Sequence, residues 1–542
     1  MDWKSHLIVA PILLPLVTAA LLLLFDERKR KLKMAIDFIS VLGLIAVAVT
    51  LAMTASEKAP DAAVYLLGNW PAPFGIVLVL DRLAALMLVL TSLLGTAALS
   101  FALAHWHKAS PHFHTLFQLL LMGLNGAFLT GDLFNLFVFF EVMLAASYGL
   151  ALHGSGPARV KAGLHYIAVN LVASSLFLIG VSLIYGVTGT LNMADLAQRI
   201  PQVAQEDRML LEAGAAVLGI AFLIKAGMWP LNFWLAPTYS AAAAPIAAIF
   251  TIMSKVGIYV LLRLSPLMFG IGAGSSYGFG NDWLYFGGMV TLAFGLVGVV
   301  ASQALGRLAS YSILVSSGTL LAAVGSGSTA MTGAALFYMV SSTLAVAAFF
   351  LLIELVERGQ DAAANVLAVT MEAYGDDEEE EEEEEVGTVL PATLAVLGSC
   401  FAICAILLIG LPPFSGFIAK FLILAAILNG EGTAPQLALP VSPASWLLIG
   451  LILLSGLSAL IAMTRSGIRT FWASLEGNVP RVLVREIVPV AALLALCLAL
   501  TVAAGPAVRY MDETARSLHN PERYINSVLN APRAGTETAV AQ

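Results

Sequence analysis

Residues 222–237 read Phe-Leu-Ile-Lys-Ala-Gly-Met-Trp-Pro-Leu-Asn-Phe-Trp-Leu-Ala-Pro, a lysine set in an apolar run with a proline five residues further on. Hydropathy places Lys225 in the middle of a membrane span. Pro230 removes a backbone donor and clashes with the preceding turn, so the helix breaks there. Broken backbone at membrane depth is tolerated only where protein or water covers it, which predicts a hydrated cavity beside Lys225.

Working outward, apolar runs near 20 residues, long enough to cross about 30 Å of hydrocarbon, recur along the whole chain, about fourteen in all. The composition agrees: 59% of residues are hydrophobic and 11% charged, against roughly 25% charged in soluble domains. The fold class is therefore an all-α membrane protein. The first run, Leu7 to Phe25, is too long for a signal-peptide core and is read as a span.

The net charge of −8 is accounted for by one unbroken acidic run, Asp376 to Glu385, whose like charges predict a solvated loop. Cys400, Cys404 and Cys497 all lie in apolar stretches and read as packing residues, too few for a disulfide framework. His105, His107, His112 and His114 form two H-x-H pairs, but with no cysteine or carboxylate beside them in sequence they read as a solvated loop. His153 reads as interfacial.

Basic residues set the orientation. Arg28, Lys29, Arg30, Lys31 and Lys33 fill the first loop, and the same side receives Lys108, Arg159, Lys161, Arg307, Arg358, Arg465, Arg469, Arg481 and Arg485. That side is cytoplasmic, and both termini then face outside an energy-coupling bacterial inner membrane.

An internal repeat joins distant segments. Leu164-His165-Tyr166-Ile167 matches Leu336-Phe337-Tyr338-Met339, and Gly227-Met228-Trp229-Pro230-Leu231 matches Gly410-Leu411-Pro412-Pro413-Phe414. Both pairs lie five spans apart, and an odd offset turns the second unit upside down, the inverted plan of secondary transporters. The chain divides into 1–110 (spans one to three), 111–270 (first five-helix repeat), 271–470 (second, inverted repeat, with an acidic loop at 358–390) and 471–542 (a last span and tail). Spans seven and twelve are broken.

Four ionisable residues occupy mid-span positions: Glu141, Lys225, Lys255 and Lys420. An intramembrane charge costs on the order of 2.5–3.5 kcal/mol on insertion scales and is functional by default. Burial disfavours the charged form of a lysine and a nearby carboxylate opposes that, so the spacing of such a pair acts as a switch. Glu141 is the expected partner of Lys225, and Lys255, two residues before Gly257, the expected bridge between halves. Lys420 lies about two turns beyond the second break. His165 is a candidate proton inlet from the cytoplasm. Asn170, Ser174, Ser175, Ser341, Ser342 and Thr343 are supporting residues that hold water or mediate helix packing. The chain carries no nucleotide loop, metal cluster or nucleophile constellation, so no cofactor, metal, nucleic-acid partner or enzymatic active site is expected.

These residues give the chain a resemblance to a known family. Glu141, FLIKAGMWPLNFWLAP (222–237), SKVGIYVLLR (254–263) and GLPPFSGFIAKFL (410–422) resemble the proton-translocating antiporter-type subunits shared by respiratory complex I and the Mrp multisubunit cation/proton antiporters. Within that family, GNWPAPFGIVLVLDRLAALM (68–87), LFLIGVSLIYGVTGTLNMADLA (176–197) and the lysine at 420 are most similar to the MrpD, or PhaD, type. The resemblance implies fourteen spans with two inverted five-helix units. It also implies proton movement coupled to Na+ or another monovalent cation, and work within a hetero-oligomer of Mrp subunits. Relatives with a redox-driven pump subunit give a second expectation, and a nontransporting scaffold a third. The chain departs from the family pattern at Asn232, where many relatives have histidine. It departs again at Ser341, Ser342 and Thr343, where many have histidine or lysine, so its second half leans on water.

Overall fold

The computed structural model describes residues 6–104, 106, 111–373, 392–429, 441–471 and 482–533. Twelve of the described helices are long and apolar enough to cross a membrane, and three shorter apolar helices lie among them. The chain begins with α1 (Ala10–Leu24) and α2 (Arg30–Lys58), turns through β1 (Ala63–Leu66) and β2 (Val77–Leu80), and continues as α3 (Arg82–Ala104), α4 (Phe113–Leu129), α5 (Leu133–Ala151) and α6 (Pro157–Thr188). After the short α7 (Met193–Arg199) comes the interrupted pair α8 (Arg208–Ala226) and α9 (Leu235–Ala241). Then follow α10 (Ala244–Phe269), α11 (Asn281–Ala301), α12 (Leu305–Gly325) and α13 (Thr329–Ala373). A second interrupted pair, α14 (Ala392–Ile409) and α15 (Ser415–Asn429), precedes α16 (Pro443–Phe471), α17 (Val484–Val502), α18 (Ala504–His519) and α19 (Glu522–Leu529).

The centre of the molecule is α10, whose apolar window is buried on every side, as expected of a helix hydrophobic all round. It packs against α8, α12 and α13. Lys255 is thus carried into the middle of the protein by the most enclosed helix.

Both interruptions are built alike, and both start earlier than their prolines. Gly227 and Gly410 adopt φ of 73° and 82°, a left-handed conformation that glycine enters without a Cβ penalty. Met228 N then donates to Leu223 O at 3.0 Å and Leu411 N to Ile406 O at 3.1 Å, the six-to-one bond of a Schellman cap. Glycine stops each helix, and the proline that follows within three residues prevents its resumption.

Three features differ from the sequence reading. The paired strands β1 and β2, in register Ala63↔Leu80, are an exception to an all-helical chain. The helix α13 runs to Ala373, past the expected loop boundary at 358, whereas the acidic run lies outside the described residues. The tail is not plain loop either, since α18 buries Met511, Thr514, Ala515 and Leu518 along one face.

The histidines also depart from expectation. His105 and His107 lie outside the described residues, but His114 is buried rather than solvated, and His153, just past the end of α5, is buried as well. His114 Nδ1 lies 2.5 Å from Asp37 Oδ2, and Gln118 Nε2 donates to Asp37 Oδ1 at 2.5 Å. The network deepens through Ser40 to Thr18, hydroxyl to hydroxyl at 2.9 Å. Removing one member of a buried pair leaves the other uncompensated, at a cost of about 3–5 kcal/mol, whereas replacing both with apolar groups is often neutral. Asp37→Leu and His114→Leu are each expected to lower the melting temperature of the purified protein more than the double variant does. Additive losses would show that the two side chains do not act as a pair.

On the face where the hairpin lies, α18 and α19 fasten the fold. Asp81, between β2 and α3, takes both guanidinium nitrogens of Arg263 from α10. The rings of Tyr259 and Tyr524 lie 5.5 and 5.2 Å from that guanidinium, so the C-terminal α19 covers it by cation–π contact. Burial alone would raise the Asp81 carboxyl, but the Arg263 charge and the Ala84 amide outweigh it and hold the group below its ordinary 3.8. A depressed carboxyl contributes stability above its unfolded value and loses it as pH falls through the folded one. The clasp should therefore contribute evenly from about pH 5 to 8 and weaken only in stronger acid. Asp81→Asn strands the buried guanidinium and should cost about 3–5 kcal/mol; an unchanged thermal midpoint would count against the clasp.

Candidate functional site

Glu141 sits half-buried on α5 and accepts a hydrogen bond from Ser174 of α6. Two turns along α5, Ser147 Oγ pairs with the Tyr166 hydroxyl at 2.7 Å. The Tyr166 ring in turn lies 5.8 Å from the ammonium of Lys225, in the last turn of α8. Lys225 is 2% exposed, and its Nζ has no hydrogen-bond partner among the described residues. No hydrogen bond or contact ion pair joins Lys225 to Glu141 among the described residues. Such an ammonium rests on an aromatic face and a distant carboxylate, an arrangement sensitive to small movements.

The step from Lys225 to Lys255 is a helix junction. A Cβ on Gly257 would lie 2.5 Å from Phe222 O and 3.1 Å from Lys225 Cβ. Only a glycine admits this approach, which brings α10 onto the turn that carries Lys225. The close contact expected from Lys255-Val256-Gly257 is present at this point.

Beyond Lys255 the polar groups are joined. Lys255 Nζ donates to Ser316 Oγ of α12 at 3.0 Å, and Ser316 Oγ pairs with Ser342 Oγ of α13 at 3.0 Å. Both serines line a cavity of about 40 Å³ that also meets Tyr338, Ser341, Lys420 and Ser455. A water needs about 10–15 Å³ of such space and two or more polar partners, so the cavity has room for a short water chain. At its far side Lys420 Nζ donates to Ile409 O at 2.9 Å and to Ser455 Oγ at 3.1 Å. The Ile409 carbonyl is one that the second break leaves unpaired by helix, and Lys420 reaches back to cap it.

The four mid-span residues thus sit on α5, α8, α10 and α15, with Ser316 and Ser342 between Lys255 and the cavity that Lys420 also lines. His165 does not join them. It is exposed on α6, and no described hydrogen bond connects it with Glu141 or Lys225; its neighbour Tyr166 is the residue that turns inward. The internal repeat that contains His165 also pairs Tyr166 with Tyr338; Tyr166 lies beside Lys225, and Tyr338 lines the cavity that Lys420 also meets. That pairing is the usable signal. Ser316 and Ser455 give none, because single serines in apolar helices are ordinary packing residues. Among the supporting residues, Ser174 and Ser342 belong to the site. Ser341 pairs with Ser415 at 2.9 Å, while Asn170, Ser175 and Thr343 bond back to their own helices. Asn232 is buried just past the first break, and its Nδ2 has no hydrogen-bond partner among the described residues.

Comparison with known proteins adds four findings. Residues 130–439 match the profile of the family described as NADH:quinone oxidoreductase/Mrp antiporter, TM. The D-type subunit of a probable K(+)/H(+) antiporter from Rhizobium meliloti (strain 1021) is 62% identical over 539 residues, covering 99% of this chain and 100% of the relative. The D-type subunit of a Na(+)/H(+) antiporter from Alkalihalophilus pseudofirmus is 34% identical over 532 residues, with 97% and 99% covered. Among solved structures, a chain of the Mrp complex from Dietzia sp. DQ12-45-1b superposes with a TM-score of 0.79 at 28% identity, covering 98% of this chain and 100% of that one.

Proposed function

We propose a function from one premise: the chain belongs to the NADH:quinone oxidoreductase/Mrp antiporter family. It is a multi-pass membrane protein, a D-type subunit of a multisubunit monovalent cation/proton antiporter, and it translocates protons. We read the Glu141, Lys225, Lys255 and Lys420 file as the route. Neutralising or displacing Glu141 frees the Lys225 proton, which passes across the Gly257 junction to Lys255 and through Ser316, Ser342 and the cavity water to Lys420. The observation that carries this reading is the hydrogen-bonded chain Lys255–Ser316–Ser342 and the cavity that its two serines share with Lys420. The catalytic work is proton relay without a redox group in this chain, and fourteen crossings in two inverted units, with both termini outside a bacterial inner membrane, follow from the same reading.

The relative at 62% identity bears a potassium name, the one at 34% a sodium name, which favours K+ as the exchanged cation. Everted vesicles holding the whole complex test both points. K+ is expected to dissipate a pre-formed pH gradient more strongly than Na+. Ser342→Val, which cuts the link to Ser316, should slow that exchange severalfold with assembly intact. Equal rates with and without Ser342 would remove this file as the route.

A further inference from the structure

A groove of about 410 Å³ runs beside the first break, between α8, α10 and α11. Its walls include Gly219, Leu223, Phe269 and Trp283, and its floor is formed by Met228 to Leu231, the turn that follows Lys225. Ser265 is the one side-chain hydroxyl among the described lining residues, and it is turned to Asn281 at 3.5 Å. An apolar cavity of this kind stays dry.

We propose that this groove is a binding site for one acyl chain of a membrane phospholipid, drawn from the leaflet on the side of the hairpin. Continuity is the first argument. The groove opens onto the apolar outer faces of α8 and α11, where Met209, Leu210, Ile220, Phe286 and Val290 are exposed in a chain that spans a bilayer. Depth is the second. Trp283 stands in the first turn of α11, and Trp229 N at the groove floor donates to Thr291 Oγ1 at 2.9 Å. Trp283 to Thr291 is about 12 Å at 1.5 Å per residue, close to half of the roughly 30 Å hydrocarbon core. The groove is one leaflet deep, with a tryptophan at its mouth, the residue enriched at membrane–water interfaces.

The floor supplies the third argument. Interrupted backbone facing hydrocarbon is costly unless its polar groups are paired. Here Gly227 N donates to Ile224 O, Met228 N to Leu223 O and Trp229 N to Thr291 Oγ1, while Pro230 has no N–H. Every backbone N–H from Gly227 to Trp229 is thus paired and Pro230 has none, which lowers the cost of laying an alkyl chain on this stretch. A bound chain shields the turn after Lys225 from the lipid side, leaving only inward routes for water.

The test uses the purified complex in vesicles doped with phospholipid carrying a diazirine at the acyl terminus or, separately, on the headgroup. After irradiation, the acyl-terminal probe is expected to label residues 223–231 and the headgroup probe to leave them unlabelled. A Cβ at Gly219 meets no atom within 4 Å, so Gly219→Leu starts from an unobstructed position on the groove wall and should take that labelling to background while other adducts persist. Ala216→Leu, from an exposed lining position, serves if the first variant assembles poorly. Absent labelling, labelling indifferent to both substitutions, or crosslinks from the groove to another subunit's peptide would each overturn the site. The readout is labelling, so it stands or falls apart from any transport result.

Discussion

Lys225→Ala is expected to abolish proton-coupled cation exchange by the complex, a loss of more than about 100-fold if the lysine is an obligatory proton carrier. Assembly should survive. The Lys225 ammonium has no hydrogen-bond partner among the described residues to leave stranded, and removing a buried charge without a partner relieves desolvation rather than adding to it. Lys225→Arg sharpens the experiment, because a guanidinium keeps its charge but cannot be deprotonated in proteins. If fixed positive charge beside Tyr166 and Glu141 were sufficient, arginine would retain exchange. If a proton must leave the side chain, arginine fails as alanine does. Exchange at wild-type rates in the alanine variant, measured with assembly confirmed, would remove Lys225 from the mechanism.

Gly257→Ala should damage both stability and exchange. The added Cβ meets Phe222 O at 2.5 Å and Ala226 N at 3.0 Å, both backbone atoms, so no side-chain rotation relieves the clash. Overpacking typically costs about 1–3 kcal/mol and occasionally more, and backbone contact on α8 places this case at the upper end. To accommodate the methyl, α10 must withdraw from the turn bearing Lys225, separating it from Lys255. A lowered melting temperature together with lost exchange is expected. Normal stability with normal exchange would show that the two lysines tolerate a wider gap.

The parts of the site legible in the sequence are those that violate local rules. A charge in an apolar run has to be explained by burial with a purpose, so Glu141, Lys225, Lys255 and Lys420 stand out. The prolines at 230, 412 and 413 draw attention to both interruptions, although Gly227 and Gly410 rather than the prolines end the helices, and Pro15, Pro266 and Pro489 sit inside continuous helices. What obeys local rules stays silent. Ser316 and Ser455 look like any packing serine until Lys255 and Lys420 are seen to reach them. Asp37 and His114 lie 77 residues apart, and Asp81 and Arg263 lie 182 apart, so only the fold reveals that each charge is matched. The C-terminal helices have a readable signal in Met511, Ala515 and Leu518 at helical spacing, outweighed in the sequence by the surrounding polar residues.

Lys420 holds two acceptors, the Ile409 carbonyl and the Ser455 hydroxyl. An ammonium has three N–H groups, so one remains to face the cavity. If that third proton departs, the neutral amine keeps two N–H groups for the same two acceptors and turns a lone pair towards the cavity. The end of α14 therefore keeps both capping hydrogen bonds in either protonation state, though weaker ones from the neutral amine, so in the proposed relay Lys420 would change charge without uncapping the helix it terminates.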